Sequence, residues 1–186
     1  MQVNRTPLEG VILIETKVWR DARGAFVETY HQARYQEAGI SAAFVQDNFS
    51  WSTGGVLRGL HYQLTRPQGK LVMAVEGRVF DVVVDIRKGS PTFGQWYGVE
   101  LSAENGWQLY LPPGLAHGYC VLSERAGFLY KCTDYYQPAD ERGIRWNDPG
   151  LAIDWPVEAP LVSPKDAAYQ CLSEMEGALP SWAQRG

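Results

Sequence analysis

The sequence predicts an all-β fold, a jelly-roll β-barrel with short flanking helices, and two observations carry that reading. Short runs rich in Val, Ile, Tyr, Phe and Trp recur at near-regular spacing between turn-forming residues, the pattern of a sandwich or barrel. Two stretches also echo each other: Gly55 is followed by five residues and His61, and Gly106 by five residues, Pro112-Pro113-Gly114 and then His117. The two halves of a jelly roll leave such an echo. At 186 residues the chain is read as one domain over 1–186, with a core of about 10–166 and a C-terminal helix and tail over 164–186.

Taken in order, Val11-Ile12-Leu13-Ile14-Glu15 is the first apolar strand, and the polar turn Asp21-Ala22-Arg23-Gly24 feeds a second, Ala25 to Tyr30. His31 to Ala38, stopped by Gly39, reads as a short helix on which His31 faces solvent. Phe44 to Phe49 is a strand with Gln46 and Asn48 on one face. Lys70 to Val75, the turn Glu76-Gly77 and Arg78 to Asp85 read as the clearest hairpin of the chain. Further strands are expected at Gly94 to Leu101, Trp107 to Leu111, His117 to Leu122 and Phe128 to Asp134. Ser163-Pro164-Lys165-Asp166 has a cap residue, a proline at the first helical position and an acid in the first turn, so a helix is expected from there to about Met175.

Composition narrows the function classes. A net charge of −4 argues against a general nucleic-acid surface, and no apolar run is long enough to span a bilayer. Nothing at Met1-Gln2-Val3-Asn4-Arg5 resembles a signal peptide, so a cytoplasmic location is expected. Cys120, Cys132 and Cys171 lack metal-like spacing and read as reduced thiols packed as small hydrophobes.

The stretch Gly55 to Gln63 carries the first functional question. In a regular strand His61 and Gln63 share one face while Arg58, Leu60 and Tyr62 take the other. For Arg58 and His61 to serve one site the strand must bend between them, and Gly59 is where a bulge costs least. Both glycine stretches have the spacing of the two cupin motifs, but Gln63 and Gln68 stand where a metal-binding cupin has His and Glu. Two imidazoles with two neutral amides make a poor site for a divalent ion.

With these residues assembled, the chain resembles the dTDP-4-dehydrorhamnose 3,5-epimerase family, metal-free cupins acting on nucleotide-linked 4-keto sugars. The resemblance runs from about Val11 to Asp166. It rests on Asp21-x-Arg23-Gly24, Phe44-Val45-Gln46-Asp47-Asn48, Arg58-Gly59-Leu60-His61-Tyr62-Gln63, Gln68-Gly69-Lys70, Ala116-His117-Gly118, Tyr130-Lys131, Trp146-Asn147-Asp148-Pro149 and Ser163-x-Lys165-Asp166. Tyr119 departs from the family's usual Phe.

The resemblance implies roles. His61 is similar to the family's general base, Asp166 to the carboxylate that orients it, Tyr130 to the proton donor and Lys70 to the group that stabilises the C4 oxyanion. Arg23, Glu28, Gln46, Asn48, Arg58, His117, Glu141 and Lys165 match substrate-binding positions, and Tyr136 matches the residue that stacks on thymine. Arg58 and Lys165 suit a pyrophosphate. The implied assembly is a homodimer in which the N-terminal strand crosses, so that Arg23 and Glu28 complete the neighbour's site. No cofactor or metal is implied. Taken singly these residues have plainer readings: a core histidine, a first-turn carboxylate, a barrel-wall aromatic, a solvated strand-end lysine. Three other functions stay open at this point: a single-site epimerase, a metal-dependent cupin enzyme using His61 and His117, and a non-catalytic sugar-nucleotide binder.

Overall fold

A computed structural model describes residues 1–175 and 177–182. In chain order the strands are β1 (Gln2–Arg5), β2 (Ile12–Glu15), β3 (Val18–Asp21), β4 (Gly24–Val27), β5 (Gln46–Thr53), β6 (Val56–Gln63), β7 (Lys70–Glu76), β8 (Arg78–Asp85), β9 (Trp96–Ser102), β10 (Gln108–Leu111), β11 (Leu115–Val121), β12 (Arg125–Cys132), β13 (Glu141–Gly143) and β14 (Leu161–Val162). Two short helices are α1 (Gln32–Glu37) and α2 (Pro164–Ala167). One sheet runs β1-β2-β10-β7-β12-β5 and the other β13-β6-β11-β8-β9, with β14 beside β6, while β3 and β4 form a separate hairpin. Two facing, mostly antiparallel sheets around one core are the expected jelly roll.

Alternation places one face of each strand in a shared interior. Val72 and Ala74 of β7, Val79 and Val83 of β8, Leu109 and Leu111 of β10 and Phe128 of β12 are buried together there. Each large aliphatic or aromatic side chain so buried contributes about 1.5–3 kcal/mol. By the same period Lys70, Asp81, His117 and Tyr130 take interior positions on β7, β8, β11 and β12. The interior is therefore mostly apolar, with these polar side chains set among the core residues.

The expected hairpin between Lys70 and Asp85 is not formed. Its strands exist with the expected bounds to within a residue, but β7 pairs with β10 and β12, and β8 with β11 and β9. Nearly continuous apolar runs report burial and not the identity of the neighbour. Glu76-Gly77 carries the chain from one sheet to the other. A Cβ on Gly77 would lie 2.1 Å from the Arg125 carbonyl, and its φ of +67° suits a corner. Lys70 and Asp81 thus stand on opposite sheets and share one interior.

The C-terminal helix is also shorter than expected. Ser163 caps it, its hydroxyl accepting from the Asp166 amide at 3.0 Å, but α2 ends at Ala167 and only a 3₁₀ turn follows at Leu172–Glu174. The Arg145 amide donates to the Gln170 carbonyl at 2.9 Å, and Tyr169 packs against Gly143, so tertiary contacts hold this segment against β13. The second strand likewise stops at Val27, short of Tyr30. Helix α1 and an exposed His31 match their expectations.

Candidate active site

The site begins with an irregularity in β6. Its register against β11 pairs His117 with His61 but Tyr119 with Arg58, so β6 holds three steps where β11 holds two. The extra residue is a β-bulge, and it turns Arg58 to the same side as His61. Gly59 makes it possible: its φ is +125°, and a Cβ there would meet Gly118 Cα at 2.6 Å and the His117 carbonyl at 2.8 Å. Arg58 then donates to the Ser52 hydroxyl at 3.0 Å.

His61 is held by α2. Asp166, 3% exposed, sits where the Ser163 cap fixes the first helical turn, and its Oδ1 lies 2.8 Å from His61 Nε2. Its Oδ2 accepts from the Gly59 amide at 3.2 Å, tying the bulge to the helix. Burial raises the Asp166 pKa, but the His61 hydrogen bond and charge, the Gly59 amide and Ser163 outweigh it, and the net shift is downward. An ionised carboxylate only accepts, so Nε2 carries the proton, and in the neutral imidazole Nδ1 keeps its lone pair. Tyr169 meets the imidazole edge-on at 5.9 Å between ring centroids. Glu141 Oε1 is 3.9 Å from Nδ1, and Glu141 also binds Lys165 at 2.8 Å and the Tyr136 hydroxyl.

A cavity of about 320 Å³ opens beside this pair. Gln46, Asn48, His61, Lys70, Tyr130, Tyr136 and Glu141 line it, with Tyr62, Gln63 and Gln68. Cross-strand pairing sets its opposite wall: Gln46, Cys132 and Lys70 lie side by side, and Asn48 lies beside Tyr130. Burial pushes the Lys70 pKa down, while Cys132, Asp81 and Glu141 pull it partly back. Burial also pushes the Tyr130 phenol up to about 12, so it holds its proton throughout the neutral range. Gln63 and Gln68 serve the loops: the Gln63 amide donates to the Arg66 and Tyr135 carbonyls and accepts from Gln137, and Gln68 donates to the Asp134 carbonyl.

Three expected residues stand behind this wall or at its rim. His117 is 7% exposed, with Nε2 2.9 Å from Asp81 Oδ2, and Lys165 reaches the site through Glu141. Arg58 neighbours Tyr130 closely enough for its charge to lower the phenol's pKa in part. Arg23 and Glu28 are not brought to the cavity by their own chain: Arg23 pairs with Asp21 and Glu28 with Arg34 on and beside the β3–β4 hairpin. Sequence reasoning missed Asp81, Cys132 and Tyr169. A carboxylate within Val79-Phe80-Asp81-Val82-Val83 was the available signal for the first; Cys132 and Tyr169 carried none. The Tyr119 departure is accommodated, its hydroxyl lying 2.9 Å from Ser50 Oγ while its ring stacks on Phe128.

Comparison with known proteins identifies the family. A family model described as dTDP-4-dehydrorhamnose 3,5-epimerase matches residues 5–174. The chain is 58% identical over 178 residues to the dTDP-4-dehydrorhamnose 3,5-epimerase of Pseudomonas aeruginosa, covering 95% of this chain and 98% of the relative. It is 42% identical over 187 residues to a dTDP-4-dehydrorhamnose 3-epimerase of Streptomyces niveus, covering 98% and 90% respectively. A crystal structure of dTDP-6-deoxy-D-glucose-3,5-epimerase from Legionella pneumophila in complex with dTDP-4-keto-L-rhamnose superposes with a TM-score of 0.95 at 53% identity, over 98% of both chains.

Proposed function

The chain belongs to the dTDP-4-dehydrorhamnose 3,5-epimerase family, and from that premise we propose that it inverts C3 and C5 of dTDP-4-dehydro-6-deoxy-glucose to give dTDP-4-dehydro-L-rhamnose. The hydrogens at both carbons flank the C4 ketone, so one base and one oxyanion donor serve both centres. His61 Nδ1 takes the proton, the C–H electrons form the enolate double bond, and the negative charge on O4 is met by the Lys70 ammonium. Tyr130 then gives its phenolic proton to the carbon from the other face, and exchange with solvent resets both groups. The single observation that carries this reading is the 2.8 Å His61–Asp166 pair, which leaves one imidazole nitrogen free on a cavity also lined by Lys70 and Tyr130.

Gln46, Asn48, Glu141 and Tyr136 line the space for the sugar nucleotide, with Tyr136 against the thymine and Arg58 and Lys165 toward the pyrophosphate. His117 supports the site from behind. A homodimer accounts for Arg23 and Glu28: the β3–β4 hairpin joins neither main sheet and leaves Trp19 and Phe26 exposed, which suits an arm that enters a partner's site. Sedimentation as a monomer would rule this out. The free thiols Cys120, Cys132 and Cys171 suit a reducing cytoplasm.

Inversion at C3 alone is the second reading, favoured by the Streptomyces niveus relative. Incubation with dTDP-4-dehydro-6-deoxy-glucose in D2O, with deuterium located by NMR, separates the two. Label and inversion at both carbons are expected; label at one carbon leaves the single-site reading, and no exchange leaves a binding module.

A further inference from the structure

Asp81 presents an unmatched carboxylate oxygen in the barrel interior. It is 0% exposed, its Oδ2 is engaged by His117 Nε2 at 2.9 Å, and its Oδ1 has no hydrogen-bond partner among the described residues. A buried carboxylate oxygen without a partner is costly, and such groups persist where chemistry uses them. Asp81 lies between Val79 and Val83 on the interior face of β8, and the charged group across that interior on which it acts is Lys70.

We infer that Asp81 is a positioning residue, the fixed counter-charge that keeps Lys70 protonated and directed into the cavity, with His117 holding the carboxylate in place. The inference rests on the reading of Lys70 as the oxyanion donor. An ammonium loses much of its hydration at this depth, and desolvation alone drives it toward the neutral amine, which cannot stabilise an enolate as a cation does. A carboxylate whose second oxygen is left over supplies the opposing field without removing Lys70 from the substrate in a closed ion pair. The other titratable and charged groups around the pair are Cys132 and Tyr130 on β12, His61 and Arg58 on β6, Glu141 on β13 and His117 on β11. Glu141 is already committed to Lys165 and Tyr136, and Cys132 accepts from the Asn48 amide at 3.6 Å. Asp81 is the carboxylate here whose capacity is left over.

The test is the pH profile of kcat for Asp81→Asn, which keeps the shape and removes the charge. The basic limb should move to lower pH by about one unit, the shift expected when an opposite charge is lost, with KM little changed, and Asp81→Glu should return part of it. An unmoved basic limb overturns the inference. Melting temperatures of the free protein give a reading independent of the reaction: Asp81→Asn leaves the Lys70 charge unmatched, so Asp81→Asn combined with Lys70→Met should melt higher than Asp81→Asn alone, or fold where it does not. A double variant no more stable than Asp81→Asn shows no coupling and overturns the inference, whatever substrate the enzyme takes.

Discussion

Asp81 and Asp85 stand four residues apart on β8, and both are fully buried, yet their surroundings differ. Asp85 is saturated. Arg87 grips it through Nε at 2.9 Å and a terminal nitrogen at 2.7 Å, the hydroxyls of Ser90 and Thr92 donate to it, and the Arg87 amide adds a fifth bond at 3.0 Å. The guanidinium in turn donates to the Glu9 carbonyl and lies under the Trp182 ring at 4.3 Å. Asp81 has one bond and one oxygen to spare. A buried carboxylate whose lone pairs are all used is locked in place; one with a lone pair unused, set between Val79 and Val83, keeps capacity for a neighbour. Asp81 is organised by incomplete pairing, Asp85 by complete pairing.

Substitutions at the cavity and around Asp85 should therefore part company in what they change. The largest effect is expected at His61→Ala, a loss of about 10²–10⁴-fold in solvent exchange at the sugar with nucleotide affinity spared. Near-normal turnover would remove His61 from the reaction. Asp85→Ala should do the reverse, costing about 3–5 kcal/mol of stability in urea unfolding because it strands the buried Arg87 charge, with kcat per folded molecule unchanged. Its pH dependence has a definite sign. Burial raises the Asp85 pKa, but Arg87, Ser90 and Thr92 outweigh it and leave the net shift downward from 3.8. Its contribution is thus full above the unfolded value and is lost as pH falls through the folded one, so the variant's acid unfolding should be flatter below about pH 4.

Tyr130→Phe gives a finer separation. Hydrogens at C3 or C5 should still exchange with D2O, because His61 can return a proton to the face it came from, while inversion falls much further. The basic limb of the exchange reaction should stay in place in this variant and lie below the ordinary lysine value of 10.5, since it reports Lys70, whose pKa burial lowers, and not a phenol near 12. Equal loss of inversion and exchange would return Tyr130 to the barrel wall.

Much of this was legible in the chain because strand geometry is local. A side-chain period of two announced β2, β7, β8, β11 and β12 to within a few residues. Gly59 marked the bend that Arg58 and His61 need, since only a residue without Cβ fits against Gly118. The Ser163-Pro164 cap located the turn that carries Asp166. Other elements had no local signature: β1 and β13 are short, and β13 is defined only by its pairing with β6.

What the sequence determined by itself was the strand content, the interior faces and the family whose motifs His61, Lys70, Tyr130 and Asp166 carry. The tertiary structure alone decided which strands are neighbours, and so turned an expected hairpin into a crossing between sheets that sets Lys70 opposite Asp81. It also decided that the helix stops at Ala167, placing Tyr169 against His61, and that Arg23 and Glu28 stay away from their own chain's cavity. The physical reason is one of range. Alternation is imposed by each residue's backbone on the next, whereas pairing and the balance of buried charge depend on residues far apart in sequence that meet only when the barrel closes.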